Sequence, residues 1–138
     1  MPARSRAVAD GMTATLPDFA RDLLDRPTYA TVASLERDGA PQLSVVWVKR
    51  DGDDVLFSTL ADRHKTRNWQ RDPRASLLAF DPEDPERYVE LRGRVTVVDD
   101  PGGSLIRELA EKYTGGPYTG PTDGRVIVRL SAERLVTH

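Results

Sequence analysis

The apolar residues of this chain change period several times. From Tyr88 to Val98 (YVELRGRVTVV) they alternate, with Val89, Leu91, Val95 and Val97 on one side and Glu90, Arg92, Arg94 and Thr96 on the other. A period of two is the mark of a half-buried strand. Gly93 stands in the apolar row, where a missing side chain in mid-strand predicts a bend or bulge of the kind a barrel needs. Five more runs read as strands: Tyr29–Leu35, Gln42–Lys49, Val55–Ser58, Ala75–Phe80 and Arg125–Leu130, the last with a short continuation to Leu135 and Val136. In QLSVVWVK, Leu43, Val45 and Trp47 share one face, and Ser44, Val46 and Val48 share the other. Arg37-Asp38-Gly39-Ala40 and Asp51-Gly52 punctuate the first three strands as tight turns.

Helical spacing appears at Leu16, Phe19, Leu23 and Leu24, in a segment stopped by Pro27, and again at Leu105, Ile106, Leu109 and Tyr113. Asp81–Arg87 and the run GGPYTGPTDG read as loops. Residues 1–14 read as a flexible tail and 15–138 as one domain. Six strands joined mostly by short turns, with helices inserted, predict a mainly β, antiparallel barrel. The first three strands have no helices between them and no G-x-G-x-x-G follows the first, which excludes a doubly wound dinucleotide-binding sheet.

One helix does not fit the amphipathic pattern. Between Val55–Ser58 and Ala75–Phe80 lies a polar helical run ending near Arg71, with Asp62 as its expected N-cap and Trp69 its one large apolar residue. Asp62–Arg74 holds five cations (Arg63, Lys65, Arg67, Arg71, Arg74) against two acids (Asp62, Asp72), a local charge of +3 in a chain whose net charge is −2. Positive charge is thus gathered at one strand-to-helix junction. A helix start offers unpaired N–H groups and the positive end of its dipole, and Ser58 and Thr59 add hydroxyl donors. Lys65, Asn68 and Trp69, at i, i+3 and i+4, are expected on one face, where an ammonium, an amide and an indole suit a phosphate attached to a flat ring. The alternative is a solvated basic helix whose arginines pair with acidic loops.

The rest of the composition mainly excludes. There is no cysteine, so disulfides, thiolate metal sites and cysteine nucleophiles are absent, in keeping with a cytoplasmic protein. Two histidines, His64 and His138, leave little for a metal centre. A pI near 5.7 argues against nucleic-acid binding, and no apolar run approaches a membrane span. The first residues carry two arginines but no apolar core, unlike a secretory signal.

The order QLSVVWV, DG, VLFSTL, DRHKTRN, RDPRASLLAF, YVELRGRVTVVDD, from about Ala30 to Asp100, resembles the split β-barrel flavin and deazaflavin oxidoreductases, relatives of pyridoxamine 5′-phosphate oxidase. A weaker echo follows in EKYTGGPY and the final strand. The resemblance implies a six-stranded antiparallel split barrel of the FMN-binding type, paired as a homodimer with cofactors at the subunit interface. It implies that Ser44, Val45, Val46, Trp47 and Val48 lie along the cofactor ring and offer it main-chain hydrogen bonds. Ser58, Thr59, Arg63, His64, Lys65 and Asn68 would hold its phosphate, and Tyr88, Arg92 and Tyr118 are the candidates for completing the site from the second subunit. The D-R-H-K-T-R-N pattern is similar to the branch using the deazaflavin coenzyme F-420, with FMN the alternative; Arg67, Arg71 and Arg74 would suit a polyanionic tail. The implied activity is hydride transfer between the deazaflavin and an unsaturated small molecule. The alternatives are an FMN-dependent oxidase and a non-catalytic flavin, deazaflavin or tetrapyrrole binder. The chain ends at Val136-Thr137-His138 without the basic segment that holds substrate phosphate in pyridoxamine phosphate oxidases, so pyridoxal phosphate synthesis is not expected.

Overall fold

The computed structural model describes residues 4–7 and 14–137. Eight strands and three helices follow in the order β1 (Arg4–Ala7), α1 (Asp18–Asp25), β2 (Ala30–Leu35), β3 (Pro41–Val46), β4 (Lys49–Asp51), β5 (Asp54–Leu60), α2 (His64–Arg71), β6 (Arg74–Asp81), β7 (Asp84–Asp99), α3 (Ser104–Thr114) and β8 (Arg125–Thr137). All pairings are antiparallel, along the path β3-β2-β6-β7-β8-β5-β4, with β1 added to β8. The two ends of that path, β3 and β4, are consecutive in the chain and separated only by Trp47 and Val48. One stretch of polypeptide therefore supplies both edges, and the sheet closes on itself as a split barrel.

That closure corrects the expectation of one strand over Gln42–Lys49. Its first half pairs with β2 and its second with β5, so the ladder must break between them, and it breaks at Trp47–Val48. Two further corrections are local. Arg4–Ala7 is a strand on the far half of β8 rather than loose tail; the rest of the expected tail, apart from Ala14, lies outside the described residues. The acidic loop is a two-residue turn, because Asp81 pairs with Asp84 and the Asp81 carboxylate accepts the Glu83 N–H at 3.0 Å.

The core follows the alternation. Val89, Leu91 and Leu77 are fully buried, as are Leu130, Val128, Val55 and Phe57. Gly93 lies at the expected irregularity: Arg92 pairs with Arg134 but Gly93 with Ala132, leaving Glu133 as the extra residue on β8. A Cβ at Gly93 would stand 2.0 Å from the Ser131 carbonyl oxygen, so only glycine lets β7 and β8 meet there. Gly52, at φ +62°, makes the tight turn from β4 to β5. α3 starts at Gly103 without a side-chain cap on that residue; instead Asp100 accepts the Ser104 N–H and hydroxyl (3.1 and 2.7 Å) and the Leu105 N–H (2.9 Å). Burial pushes the Asp100 carboxyl up, but those hydrogen bonds win and hold it below the usual value. No described helix is long and apolar enough to cross a membrane.

Candidate functional site

The ends of β3 and β5, the start of α2, one side of α3 and the first residue of β8 enclose a groove of about 330 Å³. Val45, Val46 and Trp47 form one wall. Ser58, Thr59 and Leu60 form the floor, Ile106 and Leu109 close the α3 side, and Arg63, Lys65 and Arg125 stand around one end. Among the described residues, no carboxylate lines it. The convergence has simple causes. β5 runs through Val55, Leu56 and Phe57 in the core to Ser58, half-buried, and Thr59, buried, so both residues lie beneath the groove where the strand ends. Thr66, buried in the first turn of α2, donates its hydroxyl to the Leu60 carbonyl at 2.8 Å and pins the helix to that strand end. Antiparallel pairing then sets Arg125 directly across from Leu60.

The electrostatics of this end are unbalanced. Among the described residues, neither Arg63 nor Lys65 has a carboxylate or carbonyl partner for its side chain. Burial, then the charges of Arg63 and Arg125, hold the Lys65 ammonium below its ordinary pKa of 10.5. The Ser58 hydroxyl is buried and lacks a partner. Two unpaired cations and Arg125, which is held by the Pro121 carbonyl and the Tyr118 hydroxyl but by no carboxylate among the described residues, stand beside an orphan hydroxyl, and together they are the donor set of an anion site.

α2 itself corrects the expectation made for it. The N-cap is Arg63, not Asp62, and it makes no side-chain cap bond; Asp62 instead lends its carbonyl to the Arg67 guanidinium at 2.9 Å. Lys65, Asn68 and Trp69 do not present one face to a ligand. Trp69 is driven into the core against Phe57, ring centroids 5.5 Å apart, because it is the helix's one large apolar group. Asn68 is buried toward β2, donating to the Ser34 hydroxyl at 2.9 Å. His64 turns to Glu36 with Nε2 at 2.6 Å, away from Lys65. His64, Arg67, Asn68 and Arg71 line a separate trough of about 580 Å³ with Glu36 and Asp38.

Of the remaining candidates, Val48 is sealed in. Its N–H donates to the Tyr113 hydroxyl at 2.9 Å and its carbonyl accepts from Lys112 Nζ at 2.6 Å, so neither is free for a ring. Ser44 lies outside the groove, its buried hydroxyl without a partner. Tyr88 and Arg92 stand on the outer side of β7, where Arg92 is held by Glu90 at 2.9 Å. Tyr118 reaches the groove of its own chain indirectly, accepting a hydrogen bond from Arg125, whose guanidinium also lies 5.3 Å from its ring centroid. Arg125, Ile106 and Leu109 were not anticipated as site residues. The pairing of β5 with β8 could have pointed to Arg125, since it follows the Asp123-Gly124 turn and opens the strand.

Known proteins share this architecture. The family model for pyridoxamine 5′-phosphate oxidase matches residues 16–138. A solved structure named F-420 reductase is 34% identical, with a TM-score of 0.80 over 87% of this chain and 98% of that one. A conserved hypothetical protein from Mycobacterium tuberculosis is 27% identical, with a TM-score of 0.75 over 96% of this chain and 89% of that one. General Stress Protein 26 from Bacillus anthracis, at 12% identity and a TM-score of 0.67 over 84% and 88% of the two chains, shares the fold alone. With the barrel closed at Trp47–Val48 and the match running over residues 16–138, the chain belongs to the pyridoxamine 5′-phosphate oxidase family of split barrels.

Proposed function

We propose that this groove holds a phosphate-bearing cofactor with a flat ring, the deazaflavin coenzyme F-420, and that the protein transfers hydride between it and an unsaturated small molecule. The carrying observation is the cluster of Arg63, Lys65 and Arg125, without acids, around the orphan Ser58 hydroxyl. The 34% identity to the structure named F-420 reductase supports the choice of deazaflavin over FMN. Arg63, Lys65 and Arg125 would take the phosphate with Ser58 and Thr59, and Val45–Trp47 would flank the ring. The bound deazaflavin supplies the hydride chemistry. The chain's own contribution is binding and orientation, since among the described residues no carboxylate or imidazole lines the groove.

The working unit in this reading is a homodimer. On the outer side of β3, β2 and β6, Leu43 is 63% exposed, Val45 66%, Tyr29 61% and Phe80 44%. Register sets Leu43 beside Ala33, Val45 beside Thr31 and Thr31 beside Leu78, so these side chains form one apolar sheet face. Faces of that kind are normally covered by a partner. Val45 belongs both to this face and to the groove, so a second copy seated on the face would also wall the groove. A cavity of 330 Å³ is at the small end for a cofactor site, which fits a groove that one chain leaves half built.

Sedimentation velocity with added deazaflavin or FMN tests both parts. The deazaflavin absorbance is expected to travel with a species of twice the 15.3 kDa chain mass, and at lower cofactor concentration than FMN requires. Equal or tighter FMN binding supports the FMN oxidase instead, and a monomeric carrier overturns the two-chain groove. Reduced deazaflavin offered with conjugated acceptors then separates an enzyme from a binding protein, which would bind without turnover.

A further inference from the structure

The barrel closes at a point where the backbone has no strand to pair with. Between β3 and β4, Trp47 and Val48 stand outside both ladders. Two consecutive residues of α3 take the place of the missing strand. Tyr113 accepts the Val48 N–H at 2.9 Å and donates its own hydroxyl to the Thr28 carbonyl at 2.7 Å. Lys112 Nζ donates to the Val48 and Leu24 carbonyls, both at 2.6 Å. Burial pushes the Tyr113 phenol up, so it keeps the proton it donates to Thr28. The Tyr113 ring also stacks on the Trp47 indole, centroids 5.3 Å apart and planes 13° from parallel. Trp47 is thus held twice, through the backbone of its neighbour and through its ring, and it is a wall of the groove.

We propose that Tyr113, with Lys112, is a positioning residue for the ring-binding wall: α3, rather than the sheet, fixes the Trp47 indole in the place where it can flank a cofactor ring. This rests on the functional reading above. It also explains why a lysine and a tyrosine occupy the last turn of a helix whose other buried contacts are aliphatic. Leu105, Ile106 and Leu109 would be enough to pack α3, whereas only a phenol can stack on Trp47 and bridge Val48 to Thr28 at once.

The test uses the full chain carrying Trp69→Phe, so that Trp47 is the single emitting indole. That background keeps a ring against Phe57 and removes an indole N–H that is buried without a partner. Tyr113→Leu removes stack and hydroxyl together. Without any ligand, its Trp47 emission is expected to shift to the red and to become more accessible to acrylamide. Its affinity for the deazaflavin or FMN is expected to fall about 2- to 13-fold, the fold-change equivalent of one aromatic contact. Affinity for inorganic phosphate, which reads only the cation cluster, is expected to hold. Tyr113→Phe keeps the ring and loses the bridge, so a smaller change in the same direction is expected, and it decides the matter should the leucine variant not fold. Unchanged Trp47 emission, or equal losses of ring cofactor and phosphate, would overturn the proposal. A parent protein that binds phosphate but neither cofactor would overturn the functional reading and the wall's role in binding, while the emission comparison would still show whether Tyr113 holds Trp47.

Discussion

Helix α2 and the residue that caps it carry cations on two sides, and the sides differ in what those cations touch. Arg63 and Lys65 face the groove with no partner among the described residues, and Lys65 is crowded by Arg63 and Arg125. On the other side His64 meets Glu36, Arg67 bonds the Asp62 carbonyl, and Arg71 bonds the Leu35 carbonyl and the Asn68 side chain. Arg74 belongs to neither, being forked onto Asp72 at 2.7 Å. The five cations of this segment are therefore not one basic patch. Those whose donors are already used by their own chain have little left for a ligand, and exposed pairs of that kind contribute little to stability. Lys65, half-buried and unpaired, is destabilising in the free protein, and an incoming anion removes that cost. Sequence counting gives both groups the same weight; the structure separates them by where their hydrogen bonds go.

The largest effect is expected at Lys65. Lys65→Ala removes a charge-assisted hydrogen bond worth roughly 1.5–3 kcal/mol to a bound phosphate, which corresponds to about 10- to 150-fold weaker cofactor binding. Thermal stability of the free protein is expected to stay level or rise slightly, because the substitution also relieves repulsion from Arg63 and Arg125. Titration of cofactor into the variant, with a melting curve of the free protein, reads both. A large drop in melting temperature would mean that Lys65 holds the fold rather than a ligand.

The same lysine should make binding depend on pH. Its pKa in the folded protein lies below the unfolded value of 10.5, so between the two the unfolded chain holds more protons. The destabilisation is complete below the folded pKa, and stability rises with pH until it is gone above 10.5. A bound phosphate acts in the opposite sense by favouring the ammonium. Cofactor affinity is therefore expected to fall as pH rises through the pKa of the free site, and to lose that dependence in Lys65→Ala. Affinities measured from neutral pH upward check this, and identical profiles for parent and variant would remove Lys65 from the site.

Much of this was legible in the sequence where the information is local. Alternation in β7, the glycine in its apolar row and the Asp51-Gly52 turn each state their structure within a few residues. That Ser58, Thr59, Arg63 and Lys65 lie around one groove was legible for the same reason, since a strand end and a helix start are adjacent in the chain. What was not legible depends on distant partners. The break at Trp47–Val48 follows from that stretch pairing with β2 and then β5, which no window of the sequence contains. Arg125 enters only through the pairing of β5 with β8, and Tyr113 through a contact with a residue 65 positions away. The shared face expected for Lys65, Asn68 and Trp69 failed for a physical reason. Helical spacing gives angles about an axis but not which angle faces the core, and burying Trp69 against Phe57 fixed it.

The smallest effect, and the sharpest check on the comparison, is expected at Arg71. It lies six residues beyond Lys65, about 9 Å along the helix axis, which is close to the screening length of about 10 Å at 0.1 M salt. Its guanidinium already bonds Leu35 and Asn68, so it has no free donors aimed at the groove. What it can still give a bound phosphate is a long-range attraction through solvent. Arg71→Ala is therefore expected to weaken cofactor binding slightly at low salt and not at all once salt shortens the screening length. The Lys65 effect, made through direct contact in a half-buried site, is expected to persist under the same salt. Measuring both variants at low and high ionic strength separates a built phosphate site from a diffuse basic surface. A diffuse surface would make the two losses similar and erase both together as salt rises. Matched losses at Lys65 and Arg71 would show that the two sides of α2 do not differ in kind, and the phosphate site would fall with that distinction.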